Sequence, residues 1–234
     1  MNIFVLTGAG ISAESGLGTF RDKGGLWARF DPMKLATPEA FAGNPDEVHA
    51  FYNARRSNLL AAEPNDAHRA LAHLEAELAL RGDHLTLVTQ NIDDLHERAG
   101  SQSVIHMHGE LLKARCLMCE AVMPWRDDMG TGDHCPSCGK THGLRPHVVW
   151  FGEMPLFMDL IEDALLDADL FVSIGTSGSI YPAAGFVRQA RLASIRTCEL
   201  NLDPSDNALE FDEAHYGRAS EVVPEWVRTV LARS

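Results

Sequence analysis

The reading of the fold turns on Ile3-Phe-Val-Leu-Thr-Gly8-Ala-Gly10-Ile-Ser12-Ala13. A β-prone apolar run ends at Thr7 and passes into a glycine turn of the form G-x-G-x-x-A. Glycines in such a turn let the backbone approach a pyrophosphate, and the amides of a following helix then face the negative charge. A plain tight turn can have the same sequence. Its position directly after a strand favours the nucleotide reading.

Further along, Leu85 to Thr89, Leu170 to Ile174 and Thr197 to Leu202 are similar apolar runs. Between them lie helical patterns. Pro45-Asp46 opens one that runs to about Ala62, and Asn65-Asp66 caps another with Ala67, Leu71, Leu74 and Leu78 on one face. Pro155 to Asp167, Pro182 to Ala193 and Pro224 to Ala232 read as further helices, the first two with Pro near the first turn. Continuous apolar strands separated by helices predict an α/β fold: a Rossmann-like parallel sheet with helices on both faces. Two stretches break the alternation. Residues 26–74 are helical without strands, and residues 107–145 hold four cysteines among Gly, Pro and Asp. We expect a discontinuous nucleotide-binding domain over 1–25, 75–106 and 146–234. The helical insertion 26–74 and the cysteine module 107–145 form a smaller domain beside it.

Acidic side chains outnumber basic ones by 33 to 20, a net charge of −13. That argues against direct nucleic-acid binding, which needs clustered Lys and Arg. It suits basic partners such as lysine-bearing peptides, although solubility alone explains it as well. No apolar run is long enough to cross a bilayer. Without a basic segment or cleavage site at the start, a cytoplasmic protein is expected, with no membrane association, and a monomer.

Cys116-x2-Cys119 and Cys135-x2-Cys138 are separated by 15 residues. In a cytosolic chain this spacing points to zinc rather than disulfides. Four thiolates fill a tetrahedral shell and leave no open position, so one structural Zn2+ is expected. His134 and His142 lie close by but are not needed. Cys198 reads as a core residue in a strand.

An ordinary dinucleotide fold carries an acidic residue ~20 positions after the glycines, on the ribose hydroxyls. Here that region is Gly24-Gly25-Leu26-Trp27, with no strand before it. Glu199-Leu200-Asn201-Leu202-Asp203, at the end of a late strand, is the better ribose partner, with Asn201 and Asp203 carrying the polar groups. Thr89-Gln90-Asn91-Ile92-Asp93 follows another strand, where ligands of open α/β sheets bind, and Asn91 can also cap the next helix. Ile105-His106-Met107-His108-Gly109 holds histidines suited to general-base work, and periodicity does not choose among them.

Together Gly8-Ala-Gly-Ile-Ser12, Thr19-Phe20-Arg21, Thr89-Gln-Asn-Ile-Asp93, His108-Gly109, the four cysteines, Arg145-Pro-His-Val-Val-Trp-Phe-Gly-Glu153, Gly175-Thr-Ser177 and Glu199-Leu-Asn201 follow the order of the sirtuin family. The chain resembles its bacterial, CobB-like branch over essentially its whole length. That resemblance implies an NAD-dependent protein-lysine deacylase. NAD is a consumed cosubstrate, and the products are free lysine, nicotinamide and 2'-O-acyl-ADP-ribose. His108 matches the family's base, with Asn91 and Asp93 as further catalytic residues. Gly8, Ala9, Gly10, Ser12, Phe20, Arg21, Trp27, Gln90, Asn91, Ile92, Asp93, Gly175, Thr176, Ser177, Asn201, Leu202, Asp203 and Ala219 match positions that hold the dinucleotide. Val148, Trp150, Phe151, Gly152 and Glu153 lie in a strand-like segment that resembles the one pairing with the backbone of an acylated-lysine substrate.

Tyr52 and Arg55 lie three apart on one helical face, and a phenol with a guanidinium suits a carboxylate. Alone, the pair reads as a core tyrosine and a solvated arginine. In the sirtuin context it resembles the pair that accepts succinyl- and malonyl-lysine, so desuccinylase and demalonylase activity is expected beside deacetylation. Thr19 fits that branch, whereas Lys23 stands where relatives taking acidic chains often have a small residue. The alternatives are a deacetylase without acidic-acyl preference, a protein ADP-ribosyltransferase, a hydride-transferring dehydrogenase and a zinc-ribbon binding module without catalysis.

Overall fold

The computed structural model describes residues 1–18 and 32–233. Its element order begins with β1 (Asn2–Thr7), α1 (Ala9–Ser12), α2 (Pro32–Leu35), α3 (Pro38–Gly43), α4 (Pro45–Ala61) and α5 (Asp66–Leu80). There follow β2 (His84–Thr89), α6 (Leu95–Ala99), β3 (Val104–His106), β4 (Gly109–Cys116), β5 (Val122–Pro124) and β6 (Leu144–Val148). The chain closes with α7 (Met158–Leu166), β7 (Leu170–Ile174), α8 (Phe186–Leu192), β8 (Arg196–Asn201), β9 (Glu213–Tyr216) and α9 (Ala219–Arg233).

The large sheet runs β3-β2-β1-β7-β8-β9, and every pairing in it is parallel. Counting its strands along the chain, this is the doubly wound order 3-2-1-4-5-6, with the crossover reversing between β1 and β7. Both faces are covered, as the apolar strands predict. Ile3 and Val5 of β1 pack with Leu71, Leu74 and Leu78 of α5 and with Trp226 and Val227 of α9. Phe4 and Leu6 point the other way, onto Ile161 and Leu165 of α7 and Phe186, Val187 and Ala190 of α8. Cys198 is fully buried in the first of these layers. A second sheet, β5-β4-β6, is antiparallel. Its strands and α4 share an apolar core that includes Phe51, Tyr52, Leu111, Val148 and Trp150.

Several boundaries differ from those read in the sequence. The expected division at 74/75 falls inside α5, because that helix docks its whole apolar face on the large sheet. The one at 145/146 falls inside β6, which continues to Val148 along β4. α7 and α8 begin at Met158 and Phe186, so Pro155 and Pro182 precede them rather than occupying their first turns. α9 starts at Ala219 and carries Pro224 inside, past the first turn, where the missing N–H forgoes one backbone bond of the helix. Asn65 caps α5 as expected, its Oδ1 accepting from the Ala67 N–H at 2.9 Å.

Candidate active site

The polar ends of β1, β2, β7 and β8 meet at the crossover reversal, where ligands of open α/β sheets bind. Gly8, Ala9, Gly10 and Ser12 lie just past β1, and Gly175, Thr176 and Ser177 lie just past β7. The two loops touch through their backbones: the Gly8 N–H donates to Ile174 O at 2.9 Å and the Gly10 N–H to Gly175 O at 2.8 Å. A Cβ on Gly10 would sit 2.6 Å from Gly175 Cα, and one on Gly175 would sit 2.5 Å from the Ile11 nitrogen. Glycine is required here for loop-on-loop approach. The Gly8 and Gly10 amides are therefore bonded to the neighbouring strand end and loop. The expected helix after the turn is only one turn long.

Behind these loops lies a buried polar network. Asn91 Nδ2 donates to Gly8 O at 3.1 Å and to Ser12 Oγ at 3.2 Å. Ser12 Oγ donates to Asp93 Oδ2 at 3.1 Å. Asp93 Oδ1 accepts the Leu95 N–H at 3.2 Å, so Asp93, not Asn91, serves the start of α6. Asn91 is occupied with Gly8 and Ser12 instead. Burial pushes the Asp93 carboxyl up to about 6, against the pull of its bonds from Leu95 and Ser12.

His68 and His96 complete this network and were not singled out by the sequence. The Asn65 N–H donates to His68 Nδ1 at 3.3 Å, which leaves the His68 proton on Nε2, facing Ser12 Oγ at 3.3 Å. His96 Nε2 lies 3.1 Å from Thr7 Oγ1. The available signal was His68 three residues after the capping Asn65, one turn into a helix whose next apolar residues are all core.

His108 sits between β3 and β4, half-buried. Its Nδ1 lies 2.9 Å from the Gln90 carbonyl oxygen. A carbonyl only accepts, so Nδ1 carries the proton and Nε2 keeps a lone pair. Burial lowers the His108 pKa, and the bond to Gln90 opposes that only in part. The ring is thus a neutral base near pH 7, tied directly to the Gln90–Asp93 loop.

Asn201 closes the far end: its Nδ2 donates to Thr176 O at 2.8 Å and its Oδ1 accepts the Leu202 N–H at 3.0 Å. Leu202 and Asp203 are exposed at the rim. Ala219 opens α9, whose next residue, Ser220, bonds to Glu14 through both N and Oγ at 2.9 Å. Ile92 is half-buried against the α4 core. Phe20, Arg21 and Trp27, with Thr19 and Lys23, lie outside the described residues.

On α4, Tyr52 is buried and Arg55 half-buried. The Arg55 guanidinium lies 5.8 Å from the Tyr52 ring centre and 5.5 Å from that of Phe51. Burial lowers the Arg55 pKa, while Tyr52 and the Asp93 charge hold it up, so Arg55 lies within electrostatic reach of the polar network. The Tyr52 oxygen accepts the Trp150 indole N–H at 2.9 Å, which leaves the phenol proton free to donate. The strand-like segment expected over 148–153 ends at Val148, and a turn follows. The N–H groups of Val149, Trp150, Phe151 and Glu153 bond to His108 O, Glu153 Oε2, Ala36 O and Trp150 O. Arg145, which the sequence reading passed over, fixes this turn. It forks onto Glu153 at 2.7 and 2.9 Å, bonds to Val148 O and lies 3.3 Å from the Trp150 ring centre.

The four cysteines converge. Their sulfurs all lie within 4.8 Å of one another, and the pairs Cys116–Cys138 and Cys119–Cys135 stand 3.8 Å apart. A tetrahedral zinc ~2.3 Å from each sulfur sets the sulfurs about 3.8 Å apart, so the donor set and the spacing both fit. Neither His134 nor His142 joins the cluster.

The Sir2 family profile matches residues 8–182, three quarters of the chain. The chain belongs to the Sir2 family. Among its Sir2 relatives is the NAD-dependent protein deacylase of Caulobacter vibrioides, 64% identical over 233 residues that span 100% of this chain and 98% of that protein. A Sir2 homologue solved as an NAD complex superposes with a TM-score of 0.89 at 40% identity, covering 99% of this chain and 90% of the other. A Sir2 structure with a deacetylated p53 peptide and 3'-O-acetyl ADP ribose superposes at 0.81 with 28% identity, over 99% of this chain and 93% of the other.

Proposed function

We propose that this Sir2 protein is an NAD-dependent protein-lysine deacylase. The observation that carries the reading is the His108–Gln90 bond, which sets an imidazole with its base nitrogen free beside the Asn91–Ser12–Asp93 network. The near-identical length and high identity of the Caulobacter deacylase support it.

When bound, NAD supplies a ribose carbon whose bond to nicotinamide breaks as the acyl oxygen arrives. The chain's residues prepare that exchange. Asn91, Ser12 and Asp93 are bonded to one another, so they orient the nicotinamide ribose at little reorganisation cost. The Asp93 carboxylate favours positive charge developing nearby. His108 Nε2 takes a proton from a ribose hydroxyl. Gly175, Thr176, Ser177, Asn201 and the rim residues Leu202 and Asp203 hold the adenosine half, with Ala219 behind them. Thiolate ligation by the four cysteines belongs in a reducing compartment, the cytoplasm.

The turn after β6 receives the acylated peptide. Among the described residues its N–H groups are bonded except at Gly152, whereas the carbonyls of Val149 and Phe151 have no partner and can accept from the peptide's amides. Tyr52 and Arg55 then read the acyl chain. A proton donor and a guanidinium on one helix face suit the distal carboxylate of succinyl- or malonyl-lysine. Acyl-lysine peptides carrying acetyl, succinyl or malonyl, assayed with and without NAD by mass spectrometry, test the activity. Parallel assays of Arg55→Met test the selectivity. A selective loss on succinyl is expected, and equal loss on both acyl groups removes Arg55 as the selecting residue.

A further inference from the structure

The cysteine cluster and the helix carrying Tyr52 and Arg55 are far apart in sequence, yet the Asn53 side chain links them. Asn53 Nδ2 donates to Met129 O at 2.9 Å, and its Oδ1 accepts the Met129 N–H at 2.9 Å. The same oxygen accepts from Arg56 Nη1 at 2.7 Å, and Arg56 Nε donates to Leu111 O of β4 at 3.4 Å. Three of the amide's four hydrogen-bonding positions are therefore filled. The two-point bond to one residue's N–H and C=O fixes the position and rotation of that segment together.

Met129 is 2% exposed and packs with Ala114, Cys116, Cys135 and Leu144. Two of those neighbours belong to the zinc tetrad. The order of the metal cluster thus reaches the Met129 backbone, and from there Asn53. Because Asn53 follows Tyr52 directly and precedes Arg55 by two positions, α4 cannot roll without breaking the Met129 pair. A second tie between the module and α4, Thr131 Oγ1 to Asp46 Oδ1 at 3.1 Å, is exposed and lies six residues before Tyr52. It holds the helix start, not the face that reads the acyl chain.

We propose that Asn53 is a positioning residue: it passes the order imposed by the four cysteines to the face of α4 that presents Tyr52 and Arg55, so that metal retention and acidic-acyl preference are coupled. This rests on the reading of Tyr52 and Arg55 as the acyl-selecting pair. Coupling between two sites is reciprocal, and a typical coupling amounts to roughly 5- to 150-fold in affinity.

The test uses the full-length, zinc-loaded protein and compares the parent with Asn53→Ala, Thr131→Val and Arg55→Met. Zinc release to a chelating dye is followed with and without a succinyl-lysine peptide, and kcat and KM are measured on succinyl and acetyl peptides. Asn53→Ala is expected to release zinc about 5-fold faster or more, at the low end of such couplings. Its KM should rise by a similar factor on succinyl peptide and within about twofold on acetyl peptide. Succinyl peptide should slow zinc release from the parent and not from Asn53→Ala, and Thr131→Val should behave as the parent. Asn53→Asp keeps both accepted bonds and should fall between, which guards against a misfolded alanine variant. Unchanged zinc release in Asn53→Ala overturns the link whatever the acyl preference. Faster release with an unchanged succinyl-to-acetyl ratio overturns the selectivity role. If Arg55→Met leaves that ratio untouched, the acyl-pair reading fails and takes the selectivity half with it, while the zinc measurement still decides the physical link.

Discussion

Replacing Tyr52 with Phe removes one oxygen and tests two separable consequences. The phenol is buried, and its oxygen accepts the Trp150 indole N–H at 2.9 Å. Without it, a buried donor is left unpaired, at a cost of about 1–3 kcal/mol. For a chain of this size that lowers Tm by roughly 2–12 °C. Burial raises the Tyr52 pKa, so the hydroxyl stays protonated at any assay pH and can donate to a carboxylate. A hydrogen bond to a charged group contributes about 1.5–3 kcal/mol, or roughly 10- to 150-fold in kcat/KM on succinyl-lysine. Acetyl-lysine has no distal carboxylate and should lose less than about threefold, a shift smaller than 1 kcal/mol. Thermal unfolding and kcat/KM on the two peptides read these effects separately. Equal losses on both peptides would refute the role of the phenol proton. An undiminished Tm would refute the claim that the Trp150 bond stabilises the fold.

Three other outcomes follow from the same geometry. Gly10→Ala puts a methyl 2.6 Å from Gly175 Cα, so the β1 and β7 loops must separate. Overpacking of this kind costs about 1–3 kcal/mol, and calorimetry should find NAD binding weakened along with stability. In the proposed mechanism activity needs Asp93 ionised and His108 neutral. With Asp93 near 6 and burial holding His108 below its ordinary value, kcat/KM should be level above neutrality and fall as pH drops below about 6. A rate sustained to pH 5 would contradict the need for an ionised Asp93. Stability should also fall in acid. His68, lowered by burial to about 4, and His96, lowered well below its ordinary value, contribute stability above pH 6.5 that is lost as pH falls. Asp93, raised by burial, acts in the opposite sense below about 6, so two histidines outweigh one carboxyl. Denaturant midpoints at pH 7.5 and 5 measure the difference, and His68→Gln should reduce it.

The parts legible in the sequence were those written as local patterns. Apolar runs such as Leu170–Ile174 announced buried parallel strands, and the two Cys-x2-Cys pairs announced their cluster, because each pattern carries its own spacing. β3, β4, β6 and β9 carried no such mark. β9 is an exposed edge strand without apolar alternation, and β6 begins Leu-Arg-Pro, with its Arg buried under Trp150. Residues on the strand ends were singled out by their motifs, but their hydrogen-bond partners were not. Asn91 looked like a cap and is instead a bridge between Gly8 and Ser12. His68 and Arg145 act across 56 residues and within a folded turn respectively, contacts that no window of sequence contains. The close approach of Gly10 to Gly175 was likewise not legible, since it joins two loops far apart in the chain.

In the proposed reaction His108, held by Gln90, works on a ribose that only NAD provides. The most direct measurement counts nicotinamide released and lysine freed when an acetyl-lysine peptide is incubated with NAD, for the parent and for His108→Ala. The parent should yield the two products one for one and nothing without NAD, and the variant should free almost no lysine while staying folded. Lysine freed in the absence of NAD, or at an undiminished rate by the variant, would contradict it.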